Sequence, residues 1–318
     1  MKFKATFTDK GLRVLEKAFL PTLEKCGKSC QMLLGVDEVN FIQTPVNTDG
    51  ACVSARFYKD VLFHPETYSI CSKHYNLIAF NVELGLLLRV LRAAGANQAE
   101  LLEVKLTQKA APGAATSTPV ESRPYLTFTG RGPNVNLVQD LPISKPYVPR
   151  EIDRLVQSKE VPTLCPYYVD MQPCTVTLQA MVDKMRSISD TLVFATCKNG
   201  DVHINVAAVN MMLGLQAQAL NVFPQHVVPV LANDRSLPAE QQLQAAVEAG
   251  DATVVHVPLK HLARVLAVSA LTGPSQILFG LGEEHSCVHI MFVFRDPTKD
   301  AAYDDSVALS FKLPLVEQ

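Results

Sequence analysis

The sequence lacks the ready-made signatures of an enzyme. It has no C-x-x-C pair, no H-E-x-x-H and no serine in a nucleophile-elbow context. It also has no complete glycine pattern between a strand and a helix. These absences remove the common forms of a zinc site, a zinc hydrolase, an α/β-hydrolase and a phosphate loop. No apolar run reaches the roughly 20 residues that cross a bilayer. The opening MKFKATF alternates like a strand rather than a secretory signal. Recognition-helix and zinc-finger spacings are missing, as is a strong basic import signal. Eight cysteines are scattered without a framework, which points to free thiols in a reducing compartment. A net charge of −2 does not by itself announce a polyanionic partner.

What is there is a chain that says something twice. VELGLLLRVL (82–91) returns as VPLKHLARVL (257–266) at a constant offset of 175 residues. Val82, Leu84, Leu87, Arg89, Val90 and Leu91 match Val257, Leu259, Leu262, Arg264, Val265 and Leu266. Each copy follows a strand-like run, LIAFNV or TVVHV, and precedes further strand-like segments. A duplicated domain explains this economically. With 318 residues, 48% hydrophobic and 19% charged, the chain is long and apolar enough for two domains with separate cores.

Four segments carry helical periodicity. In 10–26 the apolar stripe is Leu12, Leu15, Phe19, Leu23 and Cys26, with Pro21 expected to kink or shorten the helix. In 83–94, Leu84, Leu87, Leu88 and Leu91 face in, Arg89 and Arg92 face out, and Gly95 is expected to stop the helix. In 176–188 the stripe is Leu178, Met181, Val182, Met185 and Ile188. In 259–272 it is Leu259, Leu262, Leu266 and Ala270, with Lys260, His261 and Arg264 facing elsewhere and Gly273-Pro274 as the stop.

The remaining segments read as short strands. Those of the first half are 2–7, 29–34, 39–43, 51–58, 77–82, 100–107, 125–129 and 134–141. Those of the second half are 167–171, 191–196, 201–206, 209–220, 253–257, 277–281, 287–294 and 306–312. The expected class is α+β, with domains at 1–142 and 167–318. The five prolines of 142–166 suggest an extended, exposed connector over 143–166. Segments 110–123 and 221–251 read as loops, the second with a helix at 239–249.

Single residues admit a functional and a plain reading. His285, Cys287 and His289 share one strand face and could ligate a metal; the plain reading is a sheet face with His at the surface and Cys in the core. Cys26 and Cys30 read as core thiols, with a redox pair as the alternative. Gly130-Arg131-Gly132 and Gly280-Leu281-Gly282 read as hairpin turns, and Glu283-Glu284 and Asp304-Asp305 as loop acids. No cofactor is expected.

Charge is unevenly distributed. The windows 10–26, 83–94, 174–188 and 259–272 hold ten bases: Lys10, Arg13, Lys17, Lys25, Arg89, Arg92, Lys184, Arg186, Lys260 and Arg264. Against four acids (Glu16, Glu24, Glu83, Asp183) this gives +6, while the rest of the chain has 19 bases and 27 acids, or −8. Basic helices on an acidic body suit a polyanion-facing surface; solvated helix faces with no partner are the alternative.

Finer motifs support a specific resemblance. MKFKA, KLTQK (105–109) answered by PYLTF (124–128), QDLPISKPYVPR (139–150) and VTLQAMVDKMRSISDTLVFATCKNGDVHINV (176–206) occur in order along nearly the whole chain. Together they resemble the Hus-type (hydroxyurea-sensitive) subunit of the heterotrimeric DNA-damage checkpoint clamp. The chain departs from that pattern in the loops 110–123 and 221–251, in Pro21, and in an ending, FKLPLVEQ, without the family's aromatic-Ile-Pro.

The resemblance implies a DNA-clamp (sliding-clamp-like) fold: two duplicated domains with basic inner helices and outer antiparallel sheets. It implies a non-catalytic subunit that closes a ring around double-stranded DNA with two radiation-sensitive Rad-type subunits. An ATP-driven clamp loader would load the ring, which would recruit checkpoint signalling and repair proteins in the nucleus. The ten helix bases would face DNA. The ring-closing edges would be 134–141 and 209–220, with Asn134, Asn136, Val138, Met211, Leu213 and Leu215 as interface residues. A replicative homotrimeric clamp is the nearer alternative reading, and a metal- or thiol-dependent enzyme the more distant one.

Overall fold

The computed structural model describes residues 1–96, 100–110, 122–132, 136–160, 165–208, 211–224, 227, 229–230, 235–282, 286–295 and 303–316. The chain divides into two compact units. Unit 1 comprises Met1–Asp49, Val53–Val161 and Asp305–Ala308; unit 2 comprises Gly50–Cys52, Pro162–Asp304 and Leu309–Gln318.

In the first half, β1 (Lys2–Thr6) leads to α1 (Asp9–Val14), a π-helical turn (Leu15–Phe19) and α2 (Leu20–Cys26). Then come β2 (Ser29–Leu34), β3 (Glu38–Gln43), α3 (Pro45–Thr48), β4 (Cys52–Tyr58), α4 (Lys59–Leu62), β5 (Ser69–Cys71) and β6 (Ile78–Glu83). α5 (Leu84–Ala96), β7 (Leu101–Ala110), β8 (Ser122–Arg131), β9 (Asn136–Pro142) and α6 (Pro149–Glu160) follow. The second half runs β10 (Tyr168–Asp170), α7 (Thr175–Met185), β11 (Thr191–Cys197), β12 (Val202–Ala208), β13 (Met211–Ala217) and β14 (Val222–Phe223). It continues with α8 (Ala239–Glu248), β15 (Ala252–Pro258), α9 (Leu259–Thr272), β16 (Gln276–Leu281), β17 (Val288–Val293) and β18 (Val307–Leu313).

The duplication is visible in the strand order. Neighbouring strands run β5-β1-β7-β8-β9 and β4-β3-β2-β6 in the first half. In the second half they run β14-β10-β16-β17-β18 and β13-β12-β11-β15, the same two orders with every strand advanced by nine. All of these neighbours pair antiparallel. Helices occupy equivalent places, α1–α2 matching α7 and α5 matching α9.

Each unit buries one helix pair against its sheets. In unit 1, Leu15, Leu87 and Leu91 meet Phe3, Phe7, Val104, Leu126 and Phe128 from the five-strand set and Met32 and Phe41 from the other. The expected inward residues of α5, Leu84, Leu87, Leu88 and Leu91, are all buried. In α9, Leu259, Leu262 and Leu266 are buried as expected, but two residues differ from expectation. Ala270 is exposed, and His261 is buried at 2% exposure. α9 touches both α7 and β15, so its buried arc widens to take in His261, Val265 and Val268.

Pro21 does not end the first helical segment. Its ring would collide with the carbonyl four residues back and its nitrogen cannot donate. The preceding turn widens instead to the π form, with the Leu20 N–H donating to the Leu15 carbonyl five residues back. Upstream, the Thr8 hydroxyl caps α1 by accepting from the Gly11 N–H at 2.9 Å. A Cβ at Gly11 would strike the Leu62 carbonyl, so only glycine allows that approach.

The connector is not an extended strap. Pro149 suits the first turn of a helix, and the Glu151 carboxylate accepts the Val148 N–H at 2.9 Å. Ile152 and Leu155 of the resulting α6 are buried against Leu33, Ile42 and Ala79. Burying two such side chains contributes about 1.5–3 kcal/mol each, enough to order a segment whose prolines suggest a linker. Other departures are local. Gly95 lies inside α5 rather than ending it, and α7 stops at Met185, before Ile188. Gly130 and Arg131 close β8, and Gly280-Leu281 end β16 with the Tyr168 ring over Gly280, so the first two residues of each triplet are strand positions, while Gly132 and Gly282 begin the hairpin connections.

Candidate nucleic-acid interface

The helix pairs carry the predicted bases. α2 packs on α5 in unit 1, and α7 packs on α9 in unit 2. Most of their apolar stripe residues are held in the cores, and most of the bases on the remaining arcs face solvent. Lys10, Arg13, Lys17, Lys25, Arg89 and Arg92 are exposed in unit 1. Lys184 and Lys260 are exposed in unit 2, as is Arg186, which is the residue capping α7 rather than part of it. Arg264 is half-buried, unlike its counterpart Arg89. Asp9 enters the observed helices while Glu83 leaves them for β6 and Arg186 falls just past α7, so the balance becomes nine bases to four acids. Lys17 is partly neutralised by Glu16 at 2.7 Å, and the Arg13 Nε donates to the Asp9 carbonyl at 3.3 Å. Exposed cations on helix faces, without base-reading geometry, suit phosphate attraction that ignores sequence and weakens with salt.

The predicted edge strands each have a single neighbour among the described residues. β9 pairs with β8, and β13 pairs with β12. Asn136 is exposed, Val138 is 58% exposed and Met211 57% exposed, while Leu213 and Leu215 are half-buried. Asn134 lies outside the described residues. Met212, at 59% exposure, adds a second exposed apolar side chain beside Met211. An unpaired edge with exposed methionines is a liability that a partner strand relieves.

The proposed metal strand is a packed sheet face where it is described. His289 is buried rather than at the surface and Cys287 is only half-buried; the His289 Nδ1 lies 2.8 Å from the Tyr168 hydroxyl, which holds the ring inside the sheet face. Burial, helped by Lys312, pushes His289 from the ordinary 6.5 down to about 4. His285 lies outside the described residues, and among these no three His, Cys, Asp or Glu side chains gather as a metal site. Burial raises the thiols of Cys30, Cys52, Cys174 and Cys287, and that of Cys197 to about 12. A nucleophilic or redox-active thiol needs the opposite shift. Cys26 and Cys30 are both buried, as core thiols should be.

A family model described as Hus1-like protein matches residues 1–316. The chain belongs to the Hus1-like family. It is 27% identical over 293 residues to the checkpoint protein hus1 homolog of Dictyostelium discoideum, covering 92% of this chain and 94% of that one. Among solved structures, the proliferating cellular nuclear antigen of Entamoeba histolytica matches with a TM-score of 0.59 at 11% identity, covering 99% of both chains. That likeness establishes the fold: a Hus1-like chain with the α+β architecture of a sliding clamp. Family and fold together make it a checkpoint-clamp subunit. Among the described residues no helix is long and apolar enough to cross a membrane.

Proposed function

We propose that this chain is a non-catalytic subunit of a heterotrimeric DNA-damage checkpoint clamp that encircles double-stranded DNA. Its two domains, joined by 143–166, contribute part of the ring, and two radiation-sensitive Rad-type subunits complete it by pairing with β9 and β13. A clamp loader places the ring on DNA, where it recruits checkpoint signalling and repair proteins. The complex works in the nucleus, including the nucleolus, and the unassembled chain stays in the cytoplasm. The observation that carries this reading is the repeated exposure of basic helix faces in both units. Raised thiols speak against a thiol-dependent activity.

The test is assembly followed by DNA association. The chain should be monomeric alone and should co-purify with two Rad-type subunits. In the assembled ring, replacing Arg89, Arg92, Lys184, Arg186, Lys260 and Arg264 by Ala should weaken DNA association without unfolding. The log–log salt slope should flatten by up to about 0.9 for each phosphate no longer neutralised. An unchanged slope removes the helix-facing model. A stable homotrimer without partners would instead favour a replicative clamp, and a stoichiometric metal in the purified protein would reopen the enzyme reading.

A further inference from the structure

The strand registers assemble a second basic surface, distant in sequence and separate from the helices. Across β1, β7, β8 and β9, Lys4 stands opposite Lys105, Lys105 opposite Thr127, and Thr127 opposite Asp140. Lys109 likewise stands opposite Arg123. Residues directly opposite share a face, and so do alternate residues along a strand. The face turned away from the helices therefore holds Lys2, Lys4, Lys105, Lys109, Arg123 and Arg131 against Glu103 and Asp140, six bases to two acids. The other face of the same strands, with Phe3, Ala5, Val104, Leu126 and Phe128, is core.

The duplication supplies a control. The equivalent face of β14-β10-β16-β17-β18 is built in register from Phe223, Tyr168, Gly280, His289 and Lys312, with Leu278, Met291 and Ser310 in the next rows. Among the described residues its other charge is the buried Asp170. The fold itself thus does not require the bases. Two like-charged pairs placed directly opposite, Lys4 with Lys105 and Lys109 with Arg123, work against sheet stability. A partner that brings negative charge would offset that cost.

The face already shows how it holds a carboxylate. Asp140 accepts from the Lys109 Nζ at 2.7 Å to each oxygen and from the Thr127 hydroxyl at 2.6 Å. Burial alone would raise this carboxyl, but the bonds from Lys109 and Thr127 and the charges of Lys109 and Lys105 hold it below the usual range. Glu103 is seated by Lys4 at 2.9 Å in the same way. Same-face residues along a strand repeat at roughly 6.8 Å, which is also the repeat of side chains on one side of an extended peptide. A continuous phosphate backbone would meet Glu103 and Asp140, whereas spaced anionic side chains fit between them.

We propose that this face of unit 1 docks an extended acidic peptide segment of a partner protein lying along β7, with alternate carboxylate or phosphorylated side chains set against Lys105 and Lys109 and the flanking Lys4 and Arg123. The test is fluorescence anisotropy on the full chain with four labelled probes. These are a short peptide alternating Glu with Ser, its phosphoserine version, a neutral Gln version and a short DNA duplex. The acidic peptides should bind and the Gln peptide should not; the stronger of the two names the anion. Lys105→Glu with Arg123→Glu should weaken peptide binding at least about tenfold and leave duplex binding unchanged. Arg89→Glu with Arg92→Glu should do the reverse, which keeps this result distinct from the fate of the ring model. If the reversed pair does not fold, Lys105→Gln with Arg123→Gln replaces it, and a photo-crosslinking peptide should still map to β7–β9. The proposal is overturned if the acidic and Gln peptides bind alike or if the face variants leave peptide binding intact. Loss of duplex rather than peptide binding in those variants overturns it too, and makes the face a nucleic-acid surface.

Discussion

Units 1 and 2 share their strand order, yet they differ wherever the shared topology leaves a side chain unconstrained. The buried leucines of α5 recur in α9 at matching positions, because each must fill the same space between helix and sheet. The sheet face away from the helices is under no such demand. In unit 1 it carries six bases, and in unit 2 a tyrosine, a buried histidine and one lysine. Arg89 and Arg264 are the reverse case, the same residue kept in both copies but exposed in one and half-buried in the other. The leucine packing of the two helices recurs, and the charge of the outer sheet face does not.

The comparison breaks first if the cores are not equivalent. Leu91 and Leu266 are 0% and 1% exposed at matching helix positions. Leu91→Ala and Leu266→Ala should each cost about 2–5 kcal/mol. Each should lower chiefly the melting of its own unit, followed by denaturant unfolding with one spectroscopic reporter per unit. Equal loss in both units from either change would show a single cooperative core.

The next contrast is pH. His289 is held near 4, below the ordinary 6.5, so its neutral form favours the folded state. That stability is present above pH 6.5 and is lost as pH falls through 6.5 towards 4, up to about 3 kcal/mol. His203, also lowered by burial, adds in the same direction. Unit 2 should therefore melt earlier at pH 4.5 than at pH 7.5. His289→Gln should flatten the dependence, whereas an unchanged profile would assign the loss elsewhere.

The two edges can be separated by proline. Adjacent residues of a strand point their N–H groups to opposite sides, so Met212→Pro or Leu213→Pro must remove a donor from the open side of β13. One of that pair should abolish assembly with one Rad-type subunit, and Val138→Pro or Leu137→Pro in β9 should abolish assembly with the other. Pull-down of each partner in turn reads this out; loss of both partners from one edge would show that the edges are not independent. Smallest is the arginine pair. Arg89→Ala should reduce the salt slope of DNA association by up to about 0.9, and Arg264→Ala by less, because its side chain is half-buried.

Much of the fold was legible because periodicity and turn residues are local. α9 was readable to both ends, with Pro258 before it and Gly273 at φ 58 after it. β5 and β14 were not, because three and two residues give no alternation to detect. α6 was hidden by the prolines around it; its signal was Pro149 at the first turn, Glu151 two residues on, and Ile152, Leu155 and Val156 at helical spacing. The helix bases were legible as a charge balance, since exposure follows from the opposite apolar stripe. His261 escaped that rule because it is buried beside Gly50, a residue remote in sequence, and Arg264 is half-buried on the same helix. The sheet-face bases were illegible in principle. Lys4 and Lys105 become neighbours only through a register that no local pattern encodes.

The π turn before Pro21 also fixes an angle. An α-helix advances about 100° per residue and a π-helix roughly 82°, so five residues in the π form delay the following segment by roughly 90°. With that delay Lys10, Arg13, Lys17 and Lys25 lie within an arc of roughly 75°. An unbroken α-helix of the same length would spread them over roughly 120° and swing Leu20 to within roughly 20° of Arg13. Leu20 is instead 0% exposed. The segment between Thr8 and Gly27 is thus one residue longer than its two faces need, and the π turn is where the surplus residue is stored.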